Sequence, residues 1–243
     1  MILIGILLPF LGTALGAAAV FLFRGGMACS LKQGFFGFAA GVMTAAAVWS
    51  LLIPALDTGG VFPAGAGLTI GYLLFLLGDV LLENKKRMGK TAKDRGRILA
   101  LAVTLHNIPE GMAVGVALAA AMGGSGSMAA ALTLSLGIAL QNLPEGAVIS
   151  MPLVSLGTKR IRAFFQGVVS GVVEPIGAVS AILLTTLILP ALPFVLSFAA
   201  GAMLYVVAVE LIPALSEGGE GWAGYASFLF GFTLMMLMDV ILG

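Results

Sequence analysis

The chain has 243 residues, of which 60% are hydrophobic and only 9% are charged, and its mean hydropathy is +1.13. These values exclude a soluble globular domain and indicate a polytopic integral membrane protein. The formal net charge is +1, and the one cysteine, Cys29 in a predicted loop, can form neither an intramolecular disulfide nor a thiolate cluster for a soft metal.

Apolar stretches long enough to cross a bilayer recur along the whole chain. A helix needs about 20 apolar residues to cross a hydrocarbon core roughly 30 Å thick. The first stretch lacks the basic segment and the cleavage site of a signal peptide, so we expect it to be a span. The prediction is an all-α integral membrane protein, a single domain over residues 1–243, whose eight spans are Ile2–Phe23, Gly34–Leu56, Gly65–Leu82, Ile98–Met122, Met128–Leu153, Phe164–Leu189, Leu192–Leu215 and Trp222–Leu242.

The basic residues predict the orientation of these spans. Loops rich in Lys and Arg stay in the cytoplasm, so three basic loops on one side place both termini outside it. A basic run at 85–97 could also bind lipid headgroups or nucleic acid, but we interpret it as a topology signal in a solvated cytoplasmic loop, 84–97, and expect no nucleic-acid partner. The twelve basic residues are Arg24, Lys32, Lys85, Lys86, Arg87, Lys90, Lys93, Arg95, Arg97, Lys159, Arg160 and Arg162.

Two segments of the chain resemble two others about 160 residues later. "FAAGVMTAAAVWSLLIPAL" (38–56) matches "FAAGAMLYVVAVELIPAL" (198–215), and "LLGDVLLE" (76–83) matches "MLMDVILG" (236–243). Span two thus pairs with span seven and span three with span eight. Because the partners are five spans apart in chain order, an odd offset, the copies cross in opposite directions. The sequence predicts inverted repeats of spans 1–3 and 6–8 around central spans 4 and 5, with Asp79 and Asp239 as symmetric acids of unassigned role.

The central spans share a polar motif. "HNIPEGMAVGVAL" (106–118) aligns with "QNLPEGAVISMPL" (141–153). Proline cannot donate a backbone hydrogen bond, so Pro109 and Pro144 should kink their helices and free a carbonyl, which in hydrocarbon needs a polar cavity. Residues four apart share a helix face, with the next residue about 100° round. The resulting polar groups are His106 with Glu110, Gln141 with Glu145, and the flanking Asn107 and Asn142.

Three glutamates, Glu110, Glu145 and Glu174, lie well inside predicted spans. An ionised carboxylate at that depth costs about 2.5–3.5 kcal/mol. No Lys or Arg lies within a span, so either protonation or a bound cation must compensate. Imidazole, carboxylate and amide donors, with the Met43 thioether as a weaker candidate, suit zinc, and iron, manganese or cadmium are feasible.

Each candidate ligand also has an ordinary structural interpretation. His106 could be a hydrogen-bonded packing residue, Asn107 and Asn142 could join neighbouring helices, and Met43 could fill space. Glu210 lies nearer the cytoplasmic end and could reach water, so we interpret it as a possible exit residue.

At these motifs the sequence resembles the ZIP (Zrt/Irt-like) family of divalent metal transporters, particularly its bacterial-type subgroup. The resemblance covers the whole chain, through the spans, the 3+2+3 repeat, "HNIPEG" and "QNLPEG". It implies inward metal flux across the cell (inner) membrane, a homodimer, and elevator-like motion of spans 1, 4, 5 and 6. It also implies a binuclear midplane site, bridged by Glu110 and Glu145, in which one metal adds His106, Gln141 and Met43 and the other adds Asn107, Asn142 and Glu174.

The sequence departs from the family pattern at three places. Gln141 stands where many members have histidine, and Asn142 where some have aspartate, which leaves the second metal position one anionic ligand short. Residues 84–97 contain no histidine and cannot collect metal as the family's long loop often does.

The sequence therefore predicts a transporter of divalent transition metals, with Zn²⁺ as the first expected substrate, Cd²⁺, Fe²⁺ or Mn²⁺ as alternatives, and no organic cofactor. Two alternatives remain. A cation-coupled transporter of a small organic solute could use the same repeats, and an intramembrane metalloenzyme could hold zinc with His and Glu. The absence of H-E-x-x-H argues against the enzyme, and the absence of basic residues within spans argues against an anionic organic substrate.

Overall fold

All regular structure seen in this chain is helical. A computed structural model describes residues 1–22, 28–86, 107–108, 110–155, 157–184, 191–215 and 221–242. No strand occurs within these ranges. The helical segments, numbered in chain order, are α1 (Ile2–Leu22), α2 (Cys29–Gly59), α3 (Val61–Lys86), α4 (Glu110–Met122), α5 (Met128–Ser155), α6 (Arg160–Leu183), α7 (Leu192–Ala214) and α8 (Trp222–Leu242).

Each of these helices overlaps one predicted span, although the described part of α4 covers only the second half of its span. Six of them, namely α1, α2, α3, α6, α7 and α8, are long and apolar enough to cross a membrane. Helix α5 is also long, but it carries the polar residues Gln141, Asn142 and Glu145. The structure thus confirms an all-helical, multi-pass membrane protein, whereas the count of eight crossings and the 3+2+3 arrangement stay predictions.

Several helices begin before the apolar stretch that predicted them. Helix α2 begins at Cys29 rather than at Gly34, and α6 begins at Arg160 rather than at Phe164. Hydrogen bonding along a helix does not stop where the apolar composition stops. The prediction that Cys29 lies in a loop is therefore wrong, because it is the exposed first residue of α2. The predicted loop 84–97 likewise starts within α3, which continues to Lys86, and residues 87–97 lie outside the described ranges.

Two helices contain a π-helical segment that the sequence analysis did not predict. The segments Ala47–Leu52 in α2 and Val207–Leu211 in α7 each end just before an Ile-Pro pair. A proline has no N–H and its ring crowds the carbonyl four residues earlier, so the preceding turn can widen. The kink predicted at Pro144 stays a prediction, since α5 is helical on both sides of this residue, and Pro109 lies outside the described residues.

Glycines let the helix backbones approach closely. Helix α2 packs along α8, α3 along α7, and α1 along α5 and α6. A Cβ atom at Gly41 would collide with the Phe228 carbonyl oxygen, and one at Gly201 would collide with the Leu68 carbonyl oxygen. Gly41 and Gly201 are about 160 residues apart in sequence, and so are the contacted residues Leu68 and Phe228. The α2·α8 and α3·α7 contacts therefore repeat the internal similarity of the sequence at the level of packing.

We expect Gly41→Ala and Gly201→Ala to destabilise the folded protein. Forcing a methyl group against a backbone carbonyl costs about 1–3 kcal/mol in other packed interiors. Thermal unfolding of the purified protein in detergent, followed by circular dichroism, should show a lower midpoint for both variants. Gly78→Ala is the matched control, because a Cβ there meets nothing within 4 Å. Equal midpoints for Gly41→Ala and Gly78→Ala would contradict the close approach of α2 and α8.

Candidate metal centre

The predicted ligands that the structure describes lie on four helices or next to them. Asn107, Gln141, Asn142 and Glu174 are fully buried, as are Glu110 at 1% and Met43 at 3% exposure, while Glu145 is half-buried. His106 lies outside the described residues. The backbone of Glu210 lies in the π-helical segment of α7, and its side chain is likewise not described.

Two glycines bring α4 against α6 at the level of Glu174. A Cβ atom on Gly111 would collide with the backbone of Glu174. Across the same contact, a Cβ on Gly177 would lie 3.1 Å from the Ile108 carbonyl oxygen and 3.2 Å from the Met112 nitrogen. The glycine of the Asn-Ile-Pro-Glu-Gly motif therefore serves packing, since it lets the acidic residues of α4 and α6 share one cavity.

Helix α1 approaches α5 in the same way. Cβ atoms on Gly12 and Gly16 would collide with the carbonyl oxygens of Ala139 and Leu143. From the other side, a Cβ on Gly146 would collide with the Thr13 carbonyl oxygen. These contacts flank the Gln141–Glu145 segment, so α1 forms one wall of the cavity although it contributes no predicted ligand.

Amide side chains join the carboxylates across helices. Gln141 Nε2 donates to Glu110 Oε1 at 2.7 Å, which links α5 to α4. Asn107 Nδ2 donates to Glu174 Oε1 at 3.0 Å and to the Ser170 carbonyl at 3.2 Å. The structure therefore brings together Asn107, Glu110, Gln141 and Glu174.

The third amide side chain, that of Asn142, forms a hydrogen bond to α1. Asn142 Nδ2 donates to the Pro9 carbonyl oxygen at 3.4 Å. Its side chain also lies close enough to Glu110 and Glu174 to interact with both carboxylates. Asn142 thus lies near both acids, and its role at a second metal position, which the family resemblance implies, stays a prediction.

Thr13 is a site residue that the sequence analysis missed. Its hydroxyl donates to Glu174 Oε1 at 2.7 Å, and its side chain is fully buried. The hydroxyls of Thr44, Thr58 and Thr69 instead bond to carbonyls four residues earlier in their own helices. A threonine in an apolar helix ordinarily bonds in that way, so only its place among Pro9, Gly12 and Gly16 on the buried face of α1 distinguishes Thr13.

A surplus of hydrogen-bond acceptors marks this cavity. In the described part of the chain, every buried side-chain nitrogen or oxygen that lacks a hydrogen-bond partner belongs to a predicted ligand. The amide nitrogens all face protein acceptors, so the amide oxygens are left over. Each unsatisfied buried group costs about 1–3 kcal/mol. The atoms include Asn107 Oδ1, Glu110 Oε2, Gln141 Oε1, Asn142 Oδ1 and Glu174 Oε2.

The carboxyl group of Glu110 has two acidic neighbours, and three of the surrounding helices carry no basic residue. Glu145 and Glu174 both lie close enough to Glu110 to repel its charge. The sequences of α1, α4 and α5 contain no Lys or Arg. Carboxylate and amide oxygens that lack donors can coordinate a cation, and a divalent ion would offset two of the charges at once.

Carboxylates alone do not complete a metal site here. No group of three or more His, Cys, Asp or Glu side chains among the described residues is arranged to hold a metal ion. The partners of Glu110 and Glu174 are amides and a hydroxyl, which such a cluster does not include. Met43 is buried in the hydrophobic core, where it packs among apolar side chains.

The symmetric acids Asp79 and Asp239 have hydroxyl partners on other helices. Tyr205 Oη donates to Asp79 Oδ2 at 3.0 Å, and Ser50 Oγ donates to Asp239 Oδ1 at 2.7 Å. Asp239 and Ser50 also line a cavity of about 230 Å³ between α2, α5 and α7. Both acids therefore join helices of the α2, α3, α7 and α8 group.

Comparison with known proteins matches the chain to one family model and shows that it is similar in sequence to several zinc transporters. The family model described as ZIP zinc transporter matches residues 83–239. Human zinc transporter ZIP11 is 34% identical, over 95% of this chain and 94% of its own length. Zinc transporter ZIPB of Bordetella bronchiseptica is 34% identical over 96% of this chain and 79% of its own length. Zinc transporter ZupT of Chlorobaculum parvum is 32% identical, with 85% and 84% covered.

We expect Zn²⁺ to raise the thermal unfolding midpoint of the purified protein. A ligand at 100 times its Kd stabilises the folded state by about 2.7 kcal/mol. The shift should disappear in Glu110→Gln, which keeps the size of the side chain but removes its charge. It should also shrink between about pH 8 and pH 6, because protons compete with metal for carboxylates and imidazole.

The control for this measurement is Mg²⁺, which keeps its water ligands and binds imidazole poorly. A zinc-dependent shift of the same size in the wild type and in Glu110→Gln would place the binding site elsewhere.

Proposed function

The chain belongs to the ZIP zinc transporter family, and on that premise we propose that it carries divalent transition-metal ions, zinc above all, across the membrane into the cytoplasm. The observation that carries this proposal is the set of buried oxygen atoms without donors between α4, α5 and α6. A metal cation supplies what these atoms lack, and it also offsets the charge of the glutamates.

We infer a binuclear site bridged by Glu110 and Glu145. The hydrogen bonds support two neighbouring ligand sets. Gln141 bonds to Glu110, and it would belong with His106 and Met43 to one metal position. Asn107 bonds to Glu174, and with Asn142 it would form the other. Asn142 contributes a neutral oxygen where the family pattern has aspartate in some members, so we propose weaker metal binding at this second position.

The donor types favour zinc through His106. The polar atoms that could ligate a metal among the described residues are all oxygen atoms, and manganese or magnesium also binds oxygen ligands. Imidazole is the ligand that favours zinc and iron over harder cations. We therefore propose that His106 sets the preference for Zn²⁺, with Cd²⁺, Fe²⁺ and Mn²⁺ as slower substrates.

We propose an elevator-like mechanism in which α1, α4, α5 and α6 move as one unit. Side-chain bonds join these four helices through Thr13, Asn107, Gln141 and Asn142. In the other group, a bond at Asp79 joins α3 to α7 and a bond at Asp239 joins α2 to α8. Each group can act as a rigid body, since closely packed helices move together.

The proposal includes an orientation and an assembly. The repeated glycine contacts at Gly41 and Gly201 support inverted repeats of α1–α3 and α6–α8 around α4 and α5. With the basic loops in the cytoplasm, both termini lie outside it. Metal would leave past Glu210 into the cytoplasm of a cell whose inner membrane holds the protein, and the protein would assemble as a homodimer.

The cavity does not favour the alternative substrates or activities. Organic anions would be repelled by Glu110, Glu145 and Glu174, and neutral solutes would leave their charge uncompensated. Relatives over nearly the whole chain are named as transporters rather than as enzymes. We therefore propose metal transport alone.

Uptake into proteoliposomes tests the proposed function. The wild type should accumulate ⁶⁵Zn²⁺, and His106→Ala and Glu145→Ala should each lower the rate by at least about 10- to 100-fold, which is the loss that removing only an outer hydrogen-bond partner of a ligand causes in other metal sites. Ser180→Ala on the half of α6 beyond Glu174 is a control that should transport normally, because Ser180 is exposed there. Wild-type rates in both ligand variants would refute the site assignment.

Cross-linking tests the proposed motion. A Cβ atom on Gly137 of α5 would collide with the Met235 sulfur of α8, so Gly137→Cys with Met235→Cys should join the two helix groups. In a Cys29→Ser background, a short thiol cross-linker should stop uptake. The same cross-linker at Phe38→Cys and Phe230→Cys, within the second group, should leave uptake intact. Full uptake by the linked α5–α8 protein would rule out relative motion of the groups.

A further inference from the structure

We propose that Thr13 of α1 is a positioning residue that orients the carboxylate of Glu174 toward the second metal ion. The inference rests on the proposed metal transport. Thr13 itself would not touch the metal, because its hydroxyl is already directed at Glu174. Its role would be to decide which oxygen of that carboxylate remains for coordination.

The two donors to Glu174 converge on one oxygen atom. Oε1 accepts from the Thr13 hydroxyl at 2.7 Å and from Asn107 Nδ2 at 3.0 Å. Oε2 is buried and accepts no hydrogen bond among the described residues. Holding Oε1 on the wall formed by α1 leaves Oε2 as the atom available to a cation. A carboxylate that ligates a metal is commonly oriented by such an outer hydrogen bond.

The neighbouring helices leave space for the Thr13 side chain. Cβ on Gly171, one turn before Glu174, would lie 2.9 Å from Thr13 Cβ, 3.0 Å from Thr13 Cγ2 and 3.2 Å from Glu174 Oε1. On the opposite side, Gly146 of α5 lies against the Thr13 carbonyl oxygen. Both helices thus have a glycine where α1 presents Thr13, so the hydroxyl is seated between them rather than at a free surface.

Helix α6 departs from regular hydrogen bonding next to Glu174. The helix has a turn at Val172, and Pro175 cannot donate to the Gly171 carbonyl. The bonds to the Glu174 carboxylate come from outside α6, from Thr13 on α1 and from Asn107 before α4.

The test compares hydroxyl-free and hydroxyl-bearing variants by zinc titration calorimetry of the purified protein. Thr13→Val keeps the shape of the side chain and removes the donor, whereas Thr13→Ser keeps the donor. We expect Thr13→Val to weaken the second zinc equivalent about 10- to 100-fold, to raise the KM of uptake, and to leave the first equivalent unchanged. Thr13→Ser should restore wild-type affinity. Thr133→Val is the matched control, because Thr133 on α5 is also buried, with only 4% of its surface exposed.

A double-mutant cycle shows whether Thr13 acts through Glu174. In a Glu174→Gln background, Thr13→Val should have no additional effect, because the carboxylate that it orients is gone. An effect of equal size in both backgrounds would overturn the positioning role, as would a Thr13→Val protein that binds two zinc ions like the wild type.

The remaining outcomes separate this inference from the proposed function. If Thr13→Val and Thr13→Ala both fail to fold while Thr13→Ser folds, the hydroxyl serves stability and the positioning role is overturned. Wild-type protein that binds and transports no zinc would overturn the proposed function and this inference together. Normal zinc transport with an unaltered second equivalent in Thr13→Val would overturn only the inference.

Discussion

Buried oxygen atoms without donors are the constraint on which this structure depends. A helical membrane protein pairs its backbone hydrogen-bond donors and acceptors within each helix. Side chains therefore decide whether donors and acceptors in the interior are equal in number. Between α4, α5 and α6 the acceptors outnumber the donors. Amide nitrogens and the Thr13 hydroxyl donate to one oxygen of Glu110 and one of Glu174, and other oxygens there accept no hydrogen bond. Such a cavity is costly when empty and favourable when a cation enters, which is a property suited to transport.

Close packing of the helices makes this surplus of acceptors possible. Side-chain oxygens from several helices can meet only if the backbones approach, and glycine permits that approach at Gly111 toward α6 and at Gly12 and Gly16 toward α5. Each glycine within a helix costs roughly 1 kcal/mol in helix propensity. In a membrane, where apolar contacts between helices gain little over contacts with lipid, close packing and hydrogen bonds supply the compensation. The site and the helix contacts are therefore parts of one arrangement.

The sequence predicted the elements that carry strong signals. Hydropathy located each helix, and the paired Asn-Ile/Leu-Pro-Glu-Gly motifs identified Glu110 and Gln141, which the structure joins. Thr13 gave no such signal, because a threonine in an apolar helix ordinarily bonds to its own backbone. The π-helical segments depend on how Pro54 and Pro213 are accommodated in three dimensions, which residue pattern alone does not decide. Cys29 was misplaced because composition marks the membrane boundary and not the helix end.

Anomalous diffraction from crystals grown with zinc and measured at the zinc edge tests the central claim most directly. The account predicts an anomalous peak within coordination distance, about 2.0–2.2 Å, of Glu110 and Glu145. It predicts a second, weaker peak beside Glu174 Oε2 and Asn107 Oδ1, the oxygens that lack donors. Zinc bound only at sites away from α4, α5 and α6, with this cavity filled by water alone, would contradict it.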